Sequence, residues 1–426
     1  MTKWHELLKL VTRGYLQMSQ GNKPLFDLHC TTCTRYTGVG KCGVNQRFIH
    51  VPEFGCPLGK WKSAQSTKAK THILICTQDL AQGGIVSLLY TLARYLPKQY
   101  AIRVVYVSDF KFDSEKVPII EECGVETIPY SLANFTELIE WADVLTFCFT
   151  WETNNYEPII PPARLKYAAG KLRLVAQSHG ECIYTTRSTR YQTSIFKQIG
   201  NYYTGIAFTP KGMQELEFFG CQNLERVSYP AHPLCAKSFQ SIPLDERTTP
   251  YRFLYFGRFD PIKGIDKCAA LVDSIRKIHT RLPACRNATF TVVGDGWAKP
   301  QILESLKPYT HFTTVHSWQP IPQMVDFIQS HDMFLCQSEF EAGPLSSIES
   351  LVAGLPVFSC VVGCSDILEK LDPQRRLFST EGYLFEHMHR TSDPSLCADR
   401  VDLMLRYRSQ FEPKAASESV LFSVSK

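Results

Sequence analysis

Short apolar, β-prone runs alternate with helix-length segments along most of the chain. Between residues 69 and 235 the runs are His72–Cys76, Ile102–Val107, Val144–Phe149, Leu172–Ala176 and Gly205–Phe208. Ile85–Leu96 has helical spacing and is stopped by Pro97. A polar stretch at 236–250 carrying Pro243 and Pro250 reads as a linker, after which the alternation resumes. Phe253–Phe256, Thr289–Val293, Met333–Cys336 and Pro356–Cys360 read as strands, and Lys267–Ile278, Pro322–Ser330 and Leu345–Ala353 as helices. Strand–helix alternation of this kind predicts βαβ units around a parallel sheet, and its doubling predicts two α/β domains, 69–235 and 251–390. Ligands of such sheets sit at the C-terminal ends of the strands, here in a cleft between the domains. Cys397–Tyr407 predicts a helix within 391–412, and 413–426 reads as a frayed, flexible polar tail.

Length supports the doubling, since 426 residues exceed what one ordinary core accommodates. Composition changes the picture little: 44% hydrophobic and 20% charged residues mark a globular chain. A net charge of +5 suits an anionic ligand or membrane surface and is too weak to point to nucleic acid. No apolar run is long enough for a transmembrane helix, and the first eighteen residues, charged throughout, lack a signal-peptide core. Trp4, Leu7, Leu8, Val11, Tyr15 and Leu16 fall on one helical face, which suits docking on the chain itself or peripheral membrane contact. A cytoplasmic location, with peripheral contact at the inner membrane face as the variant, is the expectation.

Sixteen cysteines are many for such a chain. Most lie inside apolar runs, where thiols behave as small hydrophobes in a reducing compartment. Cys30, Cys33, Cys42 and Cys56 instead cluster in the loop-rich segment 1–63. Four thiolates there suit structural zinc, though only the first pair has knuckle spacing; an iron–sulfur cluster and ordinary thiols stay open.

Candidate chemistry lies at strand ends. Gly83 and Gly84 separate the run His72–Cys76 from a helix, where free N–H groups and a bare backbone suit a phosphate. Gly257-Arg258-Phe259-Asp260-Pro261-Ile262-Lys263-Gly264 follows a second strand and offers Arg258 and Lys263 to a diphosphate. Gly294 lies in the turn after Thr289–Val293, and Trp318 follows another β-prone stretch, where it flanks a nucleobase or fills a structural role. Glu341 follows Met333–Cys336, and Glu349 lies one turn inside the next helix, Leu345–Ala353, with Gly343 and Pro344 beside its start. Helix N–H groups suit a phosphate and the two carboxylates suit sugar hydroxyls.

These motifs resemble family 4 of the glycosyltransferases with the GT-B fold, over residues from about 70 to 390. The two glutamates seven residues apart in the family correspond to Glu341 and Glu349, and its G-R-x4-K element to Gly257, Arg258 and Lys263. The resemblance implies two Rossmann-like domains facing a cleft, with the cysteine-rich segment as an N-terminal addition. It implies an EC 2.4 hexosyltransferase-type enzyme that transfers sugar from a UDP-, GDP- or ADP-sugar with retention, without a catalytic divalent metal. Arg258 and Lys263 would hold the diphosphate and stabilise the leaving group, Glu349 the ribose, and Glu341 with the backbone near Gly343 the transferred sugar. His179, in Gln177-Ser178-His179-Gly180, resembles the family's active-site histidine, and Gly83–Gly84 its phosphate-side loop. The implied partner is a glycan, lipid-linked or other acceptor, bound mainly by the first domain. Ala342 and Gly343 stand where a glycine and an aromatic are common, and Cys364 where a second glycine is usual, which bears on specificity. A nucleotide-sugar hydrolase or epimerase on the same fold, and a non-catalytic GT-B-like scaffold, are the competing expectations. No G-x-G-x-x-G opens either sheet, which disfavours a dinucleotide-dependent oxidoreductase.

Overall fold

In a computed structural model of the chain, the structure describes residues 70–77, 80, 84–106, 116–149, 166, 170–178, 204–218, 220–231, 242–319, 321–339, 341, 343–380 and 382–425. The cysteines 30, 33, 42 and 56, the amphipathic N-terminal segment, Gly83 and His179 lie outside these residues.

Seven parallel strands form the first sheet: β1 (Thr71–Thr77), β2 (Tyr100–Tyr106), β3 (Glu126–Pro129), β4 (Val144–Phe149), β5 (Arg173–Ser178), β6 (Thr204–Ala207) and β7 (Asn223–Arg226). Their spatial order is β3-β2-β1-β4-β5-β6-β7. Six more parallel strands form the second: β8 (Arg252–Phe256), β9 (Thr289–Val293), β10 (Thr313–His316), β11 (Met333–Cys336), β12 (Val357–Ser359) and β13 (Phe378–Ser379). That sheet runs β10-β9-β8-β11-β12-β13. In each, the order reverses beside the first strand, between β1 and β4 and between β8 and β11. Connections diverge there and leave a crevice at the strand C-termini.

The central strands read as unbroken apolar runs because both faces are covered. In β1, Ile73 and Ile75 join the larger core while Leu74 and Cys76 enter the cluster on the other face with Phe135, Leu138 and Ile139. The helix Ile265–Ile278 buries Ile265, Cys268, Ala269, Val272 and Ile275, one stripe at helical spacing.

Three expectations from the sequence are corrected. The end of the chain is not a frayed tail: Pro413–Ser425 is a helix that packs on the helix Gly84–Arg94 and on β4, with Val420, Leu421 and Val424 buried. Its apolar residues are spread among serines and lysine, so the segment looked polar on composition. The helix Leu384–Ser392 runs across the boundary expected at 390. Part of the expected linker is also packed, since Leu244 is buried and Arg247 donates to Asp332 at 2.8 Å. Lys70–Lys426 form one compact unit. No helix among the described residues is long and apolar enough to cross a membrane.

Candidate active site

The loops after β8 and β11 meet at the second sheet's crevice. Asp260 organises the first of them. Its Oδ1 accepts from the Ile262 N–H at 3.3 Å, capping the short turn Pro261–Lys263, and its Oδ2 accepts from Arg258 Nη2 at 3.2 Å. An aspartate before proline at a helical start is a legible capping signal, and the sequence reading passed over it. Tyr255, buried within β8, donates its hydroxyl to the Arg258 carbonyl at 3.1 Å. Burial, then the nearby Glu341 carboxylate, pushes that phenol well above its ordinary range, so it stays a donor. Gly264 ends the turn at φ 61°, and a Cβ there would lie 2.1 Å from the Gln337 carbonyl oxygen. Only glycine permits that approach, which presses the two loops together.

The contact brings Lys263 to Glu341. Lys263 Nζ donates to Glu341 Oε1 at 2.5 Å, with the side chains 17% and 15% exposed. Ser338 Oγ donates to the same oxygen at 3.0 Å. The backbone holds the arrangement from both sides, through Glu339 N–H to the Ile262 carbonyl at 2.7 Å and Gly363 N–H to the Glu341 carbonyl at 2.8 Å. Cys360, its thiol pushed up to about 12 mainly by burial, donates Sγ–H to the Ser338 carbonyl at 2.7 Å and is a structural donor rather than a nucleophile. Arg258 is more open, with 44% of its side chain exposed beside Asp260.

The remaining candidates take up places around this centre. Gly257 follows β8 directly and donates its N–H to the Val293 carbonyl at 3.0 Å, and Gly294 donates to the His316 carbonyl at 3.0 Å, which aligns the loops after β8, β9 and β10. Trp318, half-buried, lies just beyond β10. A further cation missed in the sequence sits here: Lys299 pairs with Asp295 at 3.0 Å and donates to Ser317 Oγ at 3.2 Å. Pro344 is the N-cap of the helix Leu345–Val352 and so precedes its first residue, and Glu349 is half-buried on that helix. The first sheet approaches at this helix start. A Cβ on Gly84, the first residue of the helix Gly84–Arg94, would meet Leu345 Cδ1 at 3.6 Å. A Cβ on Gly343 would lie 2.3 Å from Tyr229 Cε2, which accounts for glycine where the family commonly has an aromatic. No group of three or more potential metal ligands occurs among the described residues.

Residues 250–391 match the family model for glycosyl transferases group 1. No curated protein matches the chain. Among solved structures, HepE of Anabaena, crystallised with UDP and glucose, superposes with a TM-score of 0.62 at 14% identity, covering 83% of this chain and 99% of that one. TarM of S. aureus, crystallised as a variant with fondaparinux, alpha-GlcNAc-glycerol and UDP, gives 0.61 at 11% identity over 84% and 100%. Sucrose-phosphate synthase of Thermosynechococcus elongatus gives 0.57 at 14% over 83% and 98%. At such identities the likeness speaks for fold, which is shared along nearly the whole length of those chains. Residues 250–391 are thus similar to the glycosyl transferases group 1, within a two-sheet GT-B fold that the chain shares with these solved structures.

Proposed function

We propose that the chain transfers a sugar, with retention, from a nucleoside-diphosphate sugar held by the second sheet to an acceptor held by the first. The observation that carries this is the meeting of Lys263 with Glu341 at the crevice between β8 and β11, with Arg258 on the same turn. A cation pair beside a carboxylate answers a ligand that is anionic at one end and rich in hydroxyls at the other. Arg258 and Lys263 hold the diphosphate and stabilise the charge that develops as the sugar leaves. Glu341 and Glu349 orient the hydroxyls of the sugar and ribose, and Trp318 flanks the base. By the family resemblance, Gly83 and Gly84 belong near the phosphates and His179 near the sugar. Aromatic and cationic groups around the loops after β9 and β10, Lys299 among them, are placed to shape base preference. The sugar is a hexose in this reading, and the acceptor is a glycan or lipid-linked glycoconjugate. The four N-terminal cysteines, as a zinc module, would form a separate structural element.

Two measurements test the reading. Thermal shift against UDP, GDP and ADP should pick out one nucleotide, since a ligand at a hundred times its Kd adds about 2.7 kcal/mol to stability. With the matching labelled donor, label should move to an acceptor; label released to water or recovered as an isomer would favour the hydrolase or epimerase. Arg258→Ala or Lys263→Ala should each lower turnover about a hundredfold, on the order of 3 kcal/mol of transition-state stabilisation. Near-normal turnover in both would remove the proposed roles.

A further inference from the structure

We propose that Glu341 is a competing counter-ion that sets the site's preference for the sugar-bearing donor over the nucleoside diphosphate left after transfer. The proposal rests on the glycosyltransferase reading and extends it to how the product leaves. The two cations proposed for the diphosphate are already paired within the chain, Lys263 with Glu341 at 2.5 Å and Arg258 with Asp260 at 3.2 Å. A diphosphate that recruits Lys263 must therefore take it from Glu341.

The displaced carboxylate has little room to retreat. Its backbone is pinned by Gly363 N–H, and Ser338, itself buried, keeps a hydroxyl on Oε1. Its loop is fixed to the neighbouring one through Glu339 and the close approach of Gly264 to Gln337. Lys263 and Ser338 both act on Oε1, and Oε2 has no hydrogen-bond partner among the described residues. A sugar on the donor presents hydroxyls that donate to this carboxylate when the lysine turns to the phosphate. Once the sugar has left, those donors are gone and the terminal phosphate carries an additional negative charge. Two anions then face each other in a half-buried site, where like charges repel more strongly than in water. Lys263 returns to Glu341 as the nucleotide departs. Repulsion thus acts on the product and is offset by hydroxyls on the donor, which is discrimination by an unfavourable contact with the wrong ligand.

Isothermal titration of the full chain with UDP, GDP and ADP provides the test. Glu341→Gln keeps size and an acceptor for Lys263 and Ser338 while removing the charge, and should bind the preferred nucleoside diphosphate about tenfold more tightly than wild type, or ~1.4 kcal/mol. Ser338→Ala retains the charge but leaves it leaning on Lys263 alone, so it should bind the same nucleotide several-fold more weakly. Equal or weaker binding by Glu341→Gln overturns the proposal and leaves the glycosyltransferase reading standing. Should that variant fail to fold, Ser338→Ala decides, and binding no weaker than wild type overturns the proposal. Failure of wild type to bind any of the three nucleotides overturns the glycosyltransferase reading itself.

Discussion

His387 is buried in the core of the second sheet, where the Val357 and Leu377 backbone only partly offsets the loss of water. Both ring nitrogens are buried without a well-formed hydrogen bond among the described residues, and the ring lies 6.0 Å from Phe358. Burial, then the charge of Arg390, lowers its pKa to about 3. The folded protein therefore keeps the imidazole neutral, whereas the unfolded chain takes up a proton near the ordinary histidine value. Stability from this residue is complete above about pH 6.5 and is lost as pH falls towards about 3, because the unfolded state binds the extra proton in that window. Chemical denaturation across that range should show the loss, and His387→Leu should flatten it relative to wild type. A variant with an unchanged pH slope would mean that the ring finds a partner on protonation. The residues of the candidate site were more legible. Arg258, Lys263, Glu341 and Glu349 stood out because their spacing and strand-end positions are sequence properties. The Lys263–Glu341 contact did not, since it depends on two loops pressed together at Gly264. Asp260 and Lys299 were overlooked because each looks like an ordinary surface charge until its partners are known.

At the level of elements, long apolar runs announced themselves and short or partly polar ones did not. Val144–Phe149, Thr289–Val293 and Met333–Cys336 are strands over the residues their hydrophobic runs mark. β3 and β7, with Glu126, Asn223 and Arg226 among four residues each, lie at the edges of the first sheet, where one side needs no apolar cover. The helix Leu132–Trp141 escaped notice although Ser131 caps it by accepting from the Asn134 N–H at 3.2 Å. The largest departure is the helix Pro413–Ser425, whose buried residues find their partners on an element more than three hundred residues earlier. Its contribution is testable. Val420 has no exposed surface, so Val420→Asp places a carboxylate against the helix Gly84–Arg94 and β4. A loss of about 3 kcal/mol or more in denaturant unfolding is expected, as for an unpaired buried charge. Val420→Ala should cost less than half as much. Equal, small effects would mean that the helix does not hold the first sheet.

For the whole molecule, the chain crosses between the two sheets twice, and the crossings lie side by side. Ala231 N–H donates to the Phe411 carbonyl at 3.1 Å, and Gln410 Nε2 to Ser228 Oγ at 2.8 Å. Arg408 Nε ties the returning helix to the Val352 carbonyl at 2.9 Å, at the far end of the helix that carries Glu349. Away from these crossings the sheets also meet at an Arg226–Asp366 ion pair at 3.2 Å and at the contact of Tyr229 with Gly343. Two adjacent crossings permit rotation of one sheet against the other, and the Tyr229–Gly343 contact limits it beside Glu341. The Tyr229 ring cannot withdraw, because it stacks on Phe208 with centroids 4.2 Å apart. Gly343→Ala would therefore act as a wedge, driving the sheets apart beside Glu341 and costing about 1–3 kcal/mol as an overpacked contact does. Tyr229→Leu removes the edge that the new methyl strikes, so the double variant should recover much of the loss. In a double-mutant cycle the interaction energy should then exceed about 0.5 kcal/mol. Nucleoside diphosphate binding should follow the same pattern, weaker in Gly343→Ala and partly restored in the pair. Strict additivity in both measurements would show that the two sheets do not bear on each other at this point.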